Sequence, residues 1–435
     1  MRICSREAPY PETSSNYQAQ YSLTPHTQAD RDSSVFTFDI TLRKLDHSYP
    51  VSFSAFFADP SRSYSPLMRR FASMLEPVSS EKLESMARQS SGLSKRQFGR
   101  TMRLFAPLYL SNECVNNCAY CGFSRDNPIL RTTLELDQVA AEAAHLHSLG
   151  FRNLLLVAGE HPKFVSEGYL QDCLRILSPS IPTLGIEVGP MKDSQYAELV
   201  SCGAEGLIVY QETYHRDTYE KLHTSGPKKR FDWRLDCPER AYAGGFRRIG
   251  IGALFGLADW RTEALALATH LEYLYRTCWK AQFSISFPRM RPHAGNHRHE
   301  LDPNLTLSDR HLVQLICAFR LAFPQVNIVL STREPAILRD HLFPLGVTHV
   351  SAGSHTEPGG YTGVGSNDLH RTIKGRRVEI DPDERAINGC TTKATPQFEI
   401  DDDRPVSTVA DQLVSQGFDP VWKDWDREIL APANS

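Results

Sequence analysis

LFAPLYLSNECVNNCAYC, residues 104 to 121, joins a short apolar run to three cysteines spaced by three and then two residues. The run LFAPLYLS has the length and composition of a buried strand. The thiols Cys114, Cys118 and Cys121 follow it directly, so they fall on a loop at the strand's C-terminal end. In parallel α/β folds that end is where sites are built.

Seven further short apolar runs follow: NLLLVAG, TLGIEVG, GLIVYQ, RIGIGALFG, QFSISFP, VNIVLST and THVSAGS. Helix-length mixtures such as TLELDQVAAEAAHLHSLG separate them. Alternating strands and helices mean parallel βα units. Eight runs predict a closed (βα)8 barrel over residues 104 to 362, with an open doubly wound sheet as the alternative. Residues 66 to 103 read as a helical lead-in, with Ser79 or Ser80 as a cap. Residues 1 to 65 read as a flexible extension with one strand in VFTFDITL. Residues 363 to 394 are polar and lack periodicity, so a solvated insertion is expected. Residues 395 to 435 carry Trp422 and Trp425, and a tail docked on the barrel is expected.

The chain has 435 residues, 41% apolar, with a net charge of -3 and both signs interspersed. Nothing in that balance points to nucleic acid or an anionic membrane. No apolar run approaches a membrane span, and the polar first thirty residues do not read as a signal peptide. A cytoplasmic enzyme is the expectation. Of ten cysteines, Cys173, Cys202, Cys237, Cys278 and Cys317 are scattered singly, as reduced core thiols are.

Three clustered thiols admit two metal readings. Structural zinc wants four ligands, and His145 and His147 have no standard spacing to the cysteines. A cubane iron–sulfur cluster on three cysteines leaves one iron open to a small molecule.

CxxxCxxC with Tyr120 before the last cysteine resembles the signature of radical S-adenosylmethionine enzymes. PLYLSNECVNNCAYCGFSRDN, LLLVAGEHP, VYQETYH, SFPRMRP, LSTRE, SAGSHTEPGGY and PVWKDWD then run in order from residue 107 to 426. Together they resemble the tyrosine lyases of thiazole biosynthesis, the 2-iminoacetate synthases, over residues 70 to 362 and 395 to 428. The resemblance implies one 4Fe–4S cluster on Cys114, Cys118 and Cys121, and S-adenosyl-L-methionine as cofactor. It also implies L-tyrosine as substrate, a thiazole synthase subunit as partner and a flavodoxin-type electron donor.

The resemblance places Tyr120, Gly159, Glu160, Glu212, Gly250 and Gly252 at the cofactor, with Glu160 as acceptor for its amino group. A carboxylate at Glu160 would also cap the next helix, and Gly250 and Gly252 would equally serve strand packing. It places Tyr109, Arg333 and Ser351 at the amino-acid end of the substrate. The alternative for Arg333 is a salt bridge to Glu334 or Glu357. The roles of Tyr214, His215, Arg289 and Arg291 stay open. The related hydrogenase-maturation lyase carries a second cluster on further C-terminal cysteines, whereas that region here offers only Cys390.

Overall fold

In the computed structural model, residues 64–294, 302, 304–373, 376–379 and 393–423 are described. The expected strand in VFTFDITL, Cys390 and Trp425 lie outside them.

Eight parallel strands form the barrel: β1 (Thr101–Ser111), β2 (Asn153–Ala158), β3 (Thr183–Glu187), β4 (Ala204–Glu212), β5 (Arg248–Ala253), β6 (Gln282–Ser286), β7 (Asn327–Leu330) and β8 (His349–Ser351). Each pairs with the next, and β1 closes the ring on β8 through Arg103–His349, Leu104–Val350 and Phe105–Ser351. These are the eight apolar runs of the sequence. A strand buried between a packed interior and outer helices has little reason to alternate with polar residues. The open-sheet alternative is excluded by the β1–β8 pairing.

The helix-to-strand turns repeat one device. Gly150, Gly203, Gly245 and Gly346 all have φ between 105° and 132°, a region that glycine enters freely. Helices α1 (Pro66–Leu75) and α2 (Ser80–Phe98) precede the barrel. Their N-caps are Ser65 and Ser79, whose hydroxyls accept from the Met68 and Lys82 amides. Phe71 of α1 meets Phe319 edge-on with ring centroids 4.7 Å apart, which seats the lead-in on the helix Asp309–Ala322.

Two segments after the barrel bear on the site. Asp419–Val421 adds a ninth parallel strand to β1, and Trp422 packs edge-on against Phe151 at 5.5 Å. Upstream, Asp402 forms a fully buried ion pair with Arg339 and also binds Arg404, which reaches Asp340 at 2.9 Å. That anchorage holds residues 394–402 across the C-terminal mouth of the barrel.

The reading of 363–394 as a solvated insertion fails in its first part. His370 and Leu369 are buried, and His370 Nε2 lies 2.7 Å from Glu113 Oε1, beside the first cysteine. Arg131 and His370 exchange backbone hydrogen bonds at 2.8 and 3.0 Å. One buried histidine in a polar stretch leaves no periodic trace. Among the described residues no helix is long and apolar enough to cross a membrane.

Candidate functional site

The cysteine loop is wound around one cation. Arg131 is 1% exposed, and its guanidinium donates to the carbonyls of Asn112 (2.6 Å), Ser124 (2.7 Å) and Phe123 (3.2 Å). Loop carbonyls that would point at water in an isolated loop thus converge on a permanently charged fork. Ser124 Oγ accepts from the Cys118 amide at 2.9 Å and donates to Asn117 Oδ1 at 2.6 Å. Asn127 Nδ2 donates to the carbonyls of Cys121 and Gly122.

Whether this loop suits an iron–sulfur cube can be tested on its own donors. Asn116 Nδ2 lies 3.7 Å from Cys114 Sγ, and Gln397 Nε2 lies 3.7 Å from Cys121 Sγ. Such N–H groups stabilise thiolate sulfur and set a cluster's potential. Burial pushes the Cys118 and Cys121 thiols up, and metal ligation is what draws the proton from a thiol. Three thiols with N–H donors beside two of them form a donor set that suits a cubane, one iron to each thiolate.

Asn116 ties the loop to its surroundings. Its Nδ2 donates to Glu160 Oε2 at 2.7 Å, and its Oδ1 accepts from the Lys228 amide at 2.9 Å. A Cβ on Gly226 (φ 86°) would run into that Asn116 oxygen. A Cβ on Gly159 would overlap the Glu113 carbonyl, and one on Gly189 would lie 2.6 Å from Glu160 Cδ. Three glycines therefore let the loop and the Glu160 side chain approach closely.

Glu212 ends β4 with φ 72°, the one positive φ outside glycine among the described residues. The strained backbone is held from several sides. Lys228 Nζ binds Glu212 Oε1 at 2.7 Å, Arg234 approaches at 3.6 Å, and the Glu212 carbonyl accepts from Leu254 at 2.7 Å. Burial alone would raise the Glu212 carboxyl; Lys228 and Arg234 outweigh it and hold the group ionised. Tyr120 lies 2.6 Å from His223 Nε2, while His223 Nδ1 faces the Tyr219 carbonyl at 2.7 Å. The carbonyl fixes the proton on Nδ1, so Nε2 accepts from Tyr120. Burial holds His223 neutral, with its pKa down at about 3.

Below the loop lies a chamber lined by Tyr109, Tyr120, Cys121, Glu187, Glu212, Lys228, Arg333 and Ser351 among others. Tyr109 donates to Gln397 Oε1 at 2.8 Å, leaving its oxygen free to accept. Ser351 Oγ accepts from the Thr332 amide at 3.2 Å, leaving its proton free to donate. Arg333 has its guanidinium carbon 3.3 Å from the Phe398 ring centroid. The group forms no hydrogen bond or ion pair among the described residues.

Comparison with known proteins decides the family. Residues 108–268 match the model of the radical SAM superfamily, and residues 286–419 that of the biotin and thiamin synthesis associated domain. The chain is 41% identical to the 2-iminoacetate synthase of Escherichia coli, over 81% of this chain and 86% of that one. It is 40% identical to the Salmonella typhimurium 2-iminoacetate synthase over the same shares. The chain belongs to the 2-iminoacetate synthase family. The fold is also that of the FeFe-hydrogenase maturase HydG from Carboxydothermus hydrogenoformans, with TM-score 0.70 and 29% identity over 88% of this chain and 82% of that one. Membership in a radical SAM family implies a 4Fe–4S cluster and S-adenosylmethionine.

For this family member, most residues singled out in the sequence meet around one mouth: Cys114, Cys118, Cys121, Tyr120, Glu160 and Glu212 above, Tyr109, Arg333 and Ser351 below. Gly250 does not. It lines a separate chamber deeper in the barrel, where a Cβ would strike Ile208, and Gly252 abuts the Tyr210 ring and the Ser286 carbonyl. Strand packing accounts for both. Arg333 has neither of its alternative partners: Glu334 is held by Arg289 and Arg291, and Glu357 faces His355 and Lys393. Arg289 thus cross-links loops, as does Arg291, which also reaches Asp401. Tyr214 is buried against His270 at 2.8 Å, and His215 caps the helix Arg216–Leu222. Sequence reasoning missed Arg131, Asn116, Glu187, Lys228, Gln397 and Phe398. A strand-end glutamate in TLGIEVG was the one signal that could have led to Glu187.

Proposed function

We propose that this chain cleaves the Cα–Cβ bond of L-tyrosine to 2-iminoacetate (dehydroglycine) and 4-cresol, with 5′-deoxyadenosine and methionine, for thiazole formation in thiamine biosynthesis. The observation that carries this reading is the unpaired Arg333 guanidinium in an aromatic and apolar chamber directly beneath the cysteine loop. Cys114, Cys118 and Cys121 would hold one 4Fe–4S cluster, and Glu160 would accept from the amino group of S-adenosylmethionine beside it. When bound, the pair supplies reductive cleavage of the sulfonium and hence a 5′-deoxyadenosyl radical.

The chain's own residues fix the substrate. Arg333 offers a planar fork to the carboxylate, and Ser351 on the neighbouring strand β8 has a proton to donate to it. Tyr109 on β1, next in the ring, has an oxygen to accept from the amine. Burial pushes the Tyr109 pKa well up, so it stays a neutral hydroxyl. A head group held at this wall has a fixed amine, and position of that kind is what effective molarity measures.

A thiazole synthase subunit would take up the unstable imine, and a flavodoxin-type protein in the cytoplasm would supply the electron. The test is anaerobic reconstitution with iron and sulfide, incubation with tyrosine, S-adenosylmethionine and dithionite, and chromatography of 4-cresol. Formation of 5′-deoxyadenosine without 4-cresol would overturn the assignment of tyrosine cleavage.

A further inference from the structure

The charged groups lining the chamber can be sorted by partner. Glu212 is taken by Lys228 and Arg234, and Arg291 by Glu334 and Asp401. Two remain, Arg333 and Glu187, which form no hydrogen bond or ion pair among the described residues although both face the chamber. Glu187 is the last residue of β3, and Arg333 follows β7. In a ring ordered β1 to β8, strands three and seven are four apart in either direction, so the two residues spring from opposite walls, with each charge felt by the other across the chamber. Phe105, Leu155, Val157, Pro288 and Val329 line the space with them.

An anion-binding group, an apolar middle and a free carboxylate describe a ligand with a carboxylate at one end, a ring, and a donor at the far end. Resting on the tyrosine-lyase reading, we infer that Glu187 accepts the hydrogen bond of the substrate's phenol hydroxyl and so selects tyrosine over phenylalanine. The α-ammonium is the rival donor, because the Glu187 charge also acts on the Tyr109 hydroxyl; phenylalanine, which carries the ammonium but no phenol, separates the two. An ionised carboxylate accepts only, and a phenol donates. A phenyl ring would leave the carboxylate desolvated and unpaired, the costlier of the two states. Tyr109 already donates to Gln397, and Tyr210 is bonded to Ser286.

The experiment uses the reconstituted enzyme with S-adenosylmethionine bound, and measures tyrosine and phenylalanine binding by calorimetry. Measured at about pH 8, wild type should prefer tyrosine by about a hundredfold, the worth of a charge-assisted hydrogen bond. Glu187→Gln should cut that ratio by about tenfold and Glu187→Leu should nearly abolish it. Iron content and cofactor binding should be unchanged, and the loss should fall on tyrosine. An unchanged ratio would overturn the assignment, and equal weakening of both amino acids would move Glu187 to the amino group. Wild-type enzyme supplies a second measurement free of folding effects: 4-methoxyphenylalanine, which lacks the donor, should bind no better than phenylalanine. Binding as tight as tyrosine would refute the hydrogen bond. If wild type bound no tyrosine and made no 4-cresol, the tyrosine-lyase reading itself would fail.

Discussion

Arg333→Lys separates holding the substrate from generating the radical. The Arg333 guanidinium has no hydrogen bond or ion pair to lose among the described residues, so its replacement should leave the fold and the cysteine loop intact. Lysine keeps the charge but gives up the planar fork, and with it one of two parallel bonds to the carboxylate, worth about 1.5–3 kcal/mol. It also gives up part of the attraction to the Phe398 ring, 3.3 Å away: about 1 kcal/mol of the roughly 2 kcal/mol such a contact is worth when desolvated, since an ammonium keeps the rest. A total near 3 kcal/mol corresponds to about a hundredfold in kcat/KM for 4-cresol, since each 1.4 kcal/mol is tenfold. The assay follows 4-cresol and 5′-deoxyadenosine together at equal iron content. Cofactor cleavage should persist and run uncoupled from 4-cresol. Wild-type 4-cresol formation in Arg333→Lys would refute the clamp, as would loss of iron. The carboxylate would then have to bind at Arg291, the other arginine at the chamber.

Gly159→Ala should lose most of its reconstituted iron, measured by colorimetric assay, because the new methyl overlaps the Glu113 carbonyl at the root of the loop. Cys390→Ala should keep about four irons per chain, as one cubane requires; a clear loss would indicate a second cluster. His370→Ala should lower the thermal midpoint by a few degrees, since it removes a partner of a buried carboxylate. Burial alone would raise the Glu113 carboxyl, but His370, Arg131 and Thr372 hold it below its ordinary value. Its contribution is therefore present above the ordinary carboxylate range and lost as pH falls, so the gap between His370→Ala and wild type should narrow in acid. Burial and the nearby Glu212 charge push Glu187 up to about 7, against Arg333, Arg234 and Lys228. The preference for tyrosine over phenylalanine should then grow as pH rises through about 6 to 8, as the carboxylate becomes the stronger acceptor, and stay flat in Glu187→Gln.

What the sequence disclosed follows from which interactions are local. The eight strands were legible because burial on both faces writes each one as an unbroken apolar run. The cysteine loop was legible because its three ligands are neighbours in the chain. Arg333 was visible as a cation just past a strand, at the end of the barrel where ligands bind. Arg131 was not, because its meaning lies in backbone carbonyls that any sequence supplies. Gln397 and Phe398 were not, because the Arg339–Asp402 ion pair and backbone hydrogen bonds to Gly122 and Thr356, all distant in sequence, bring them to the site. Gly250 misled for the converse reason: a glycine pair in a strand is written alike whether it admits a ligand or a neighbouring side chain.

The freedom of Arg333 is itself built. Glu334, its neighbour in the chain, is the nearest carboxylate by sequence and would neutralise it in a less constrained loop. Two arginines, Arg289 and Arg291, turn Glu334 away, and Asp309 and Asp401 balance their remaining charge. Glu357, the other candidate counterion, is drawn to His355, the Thr356 amide and Lys393. A desolvated guanidinium with no carboxylate in contact costs stability, and burial pulls its pKa below the ordinary arginine value although Glu187 and Glu212 act against it. These two carboxylates offset part of that cost from a distance, and the π-face of Phe398 does so in contact, attracting the cation but leaving every N–H in its plane unspent. Those N–H groups point into the chamber. A carboxylate arriving there gains the full fork at once, with no internal salt bridge to break first, and that is the arrangement preorganised binding requires.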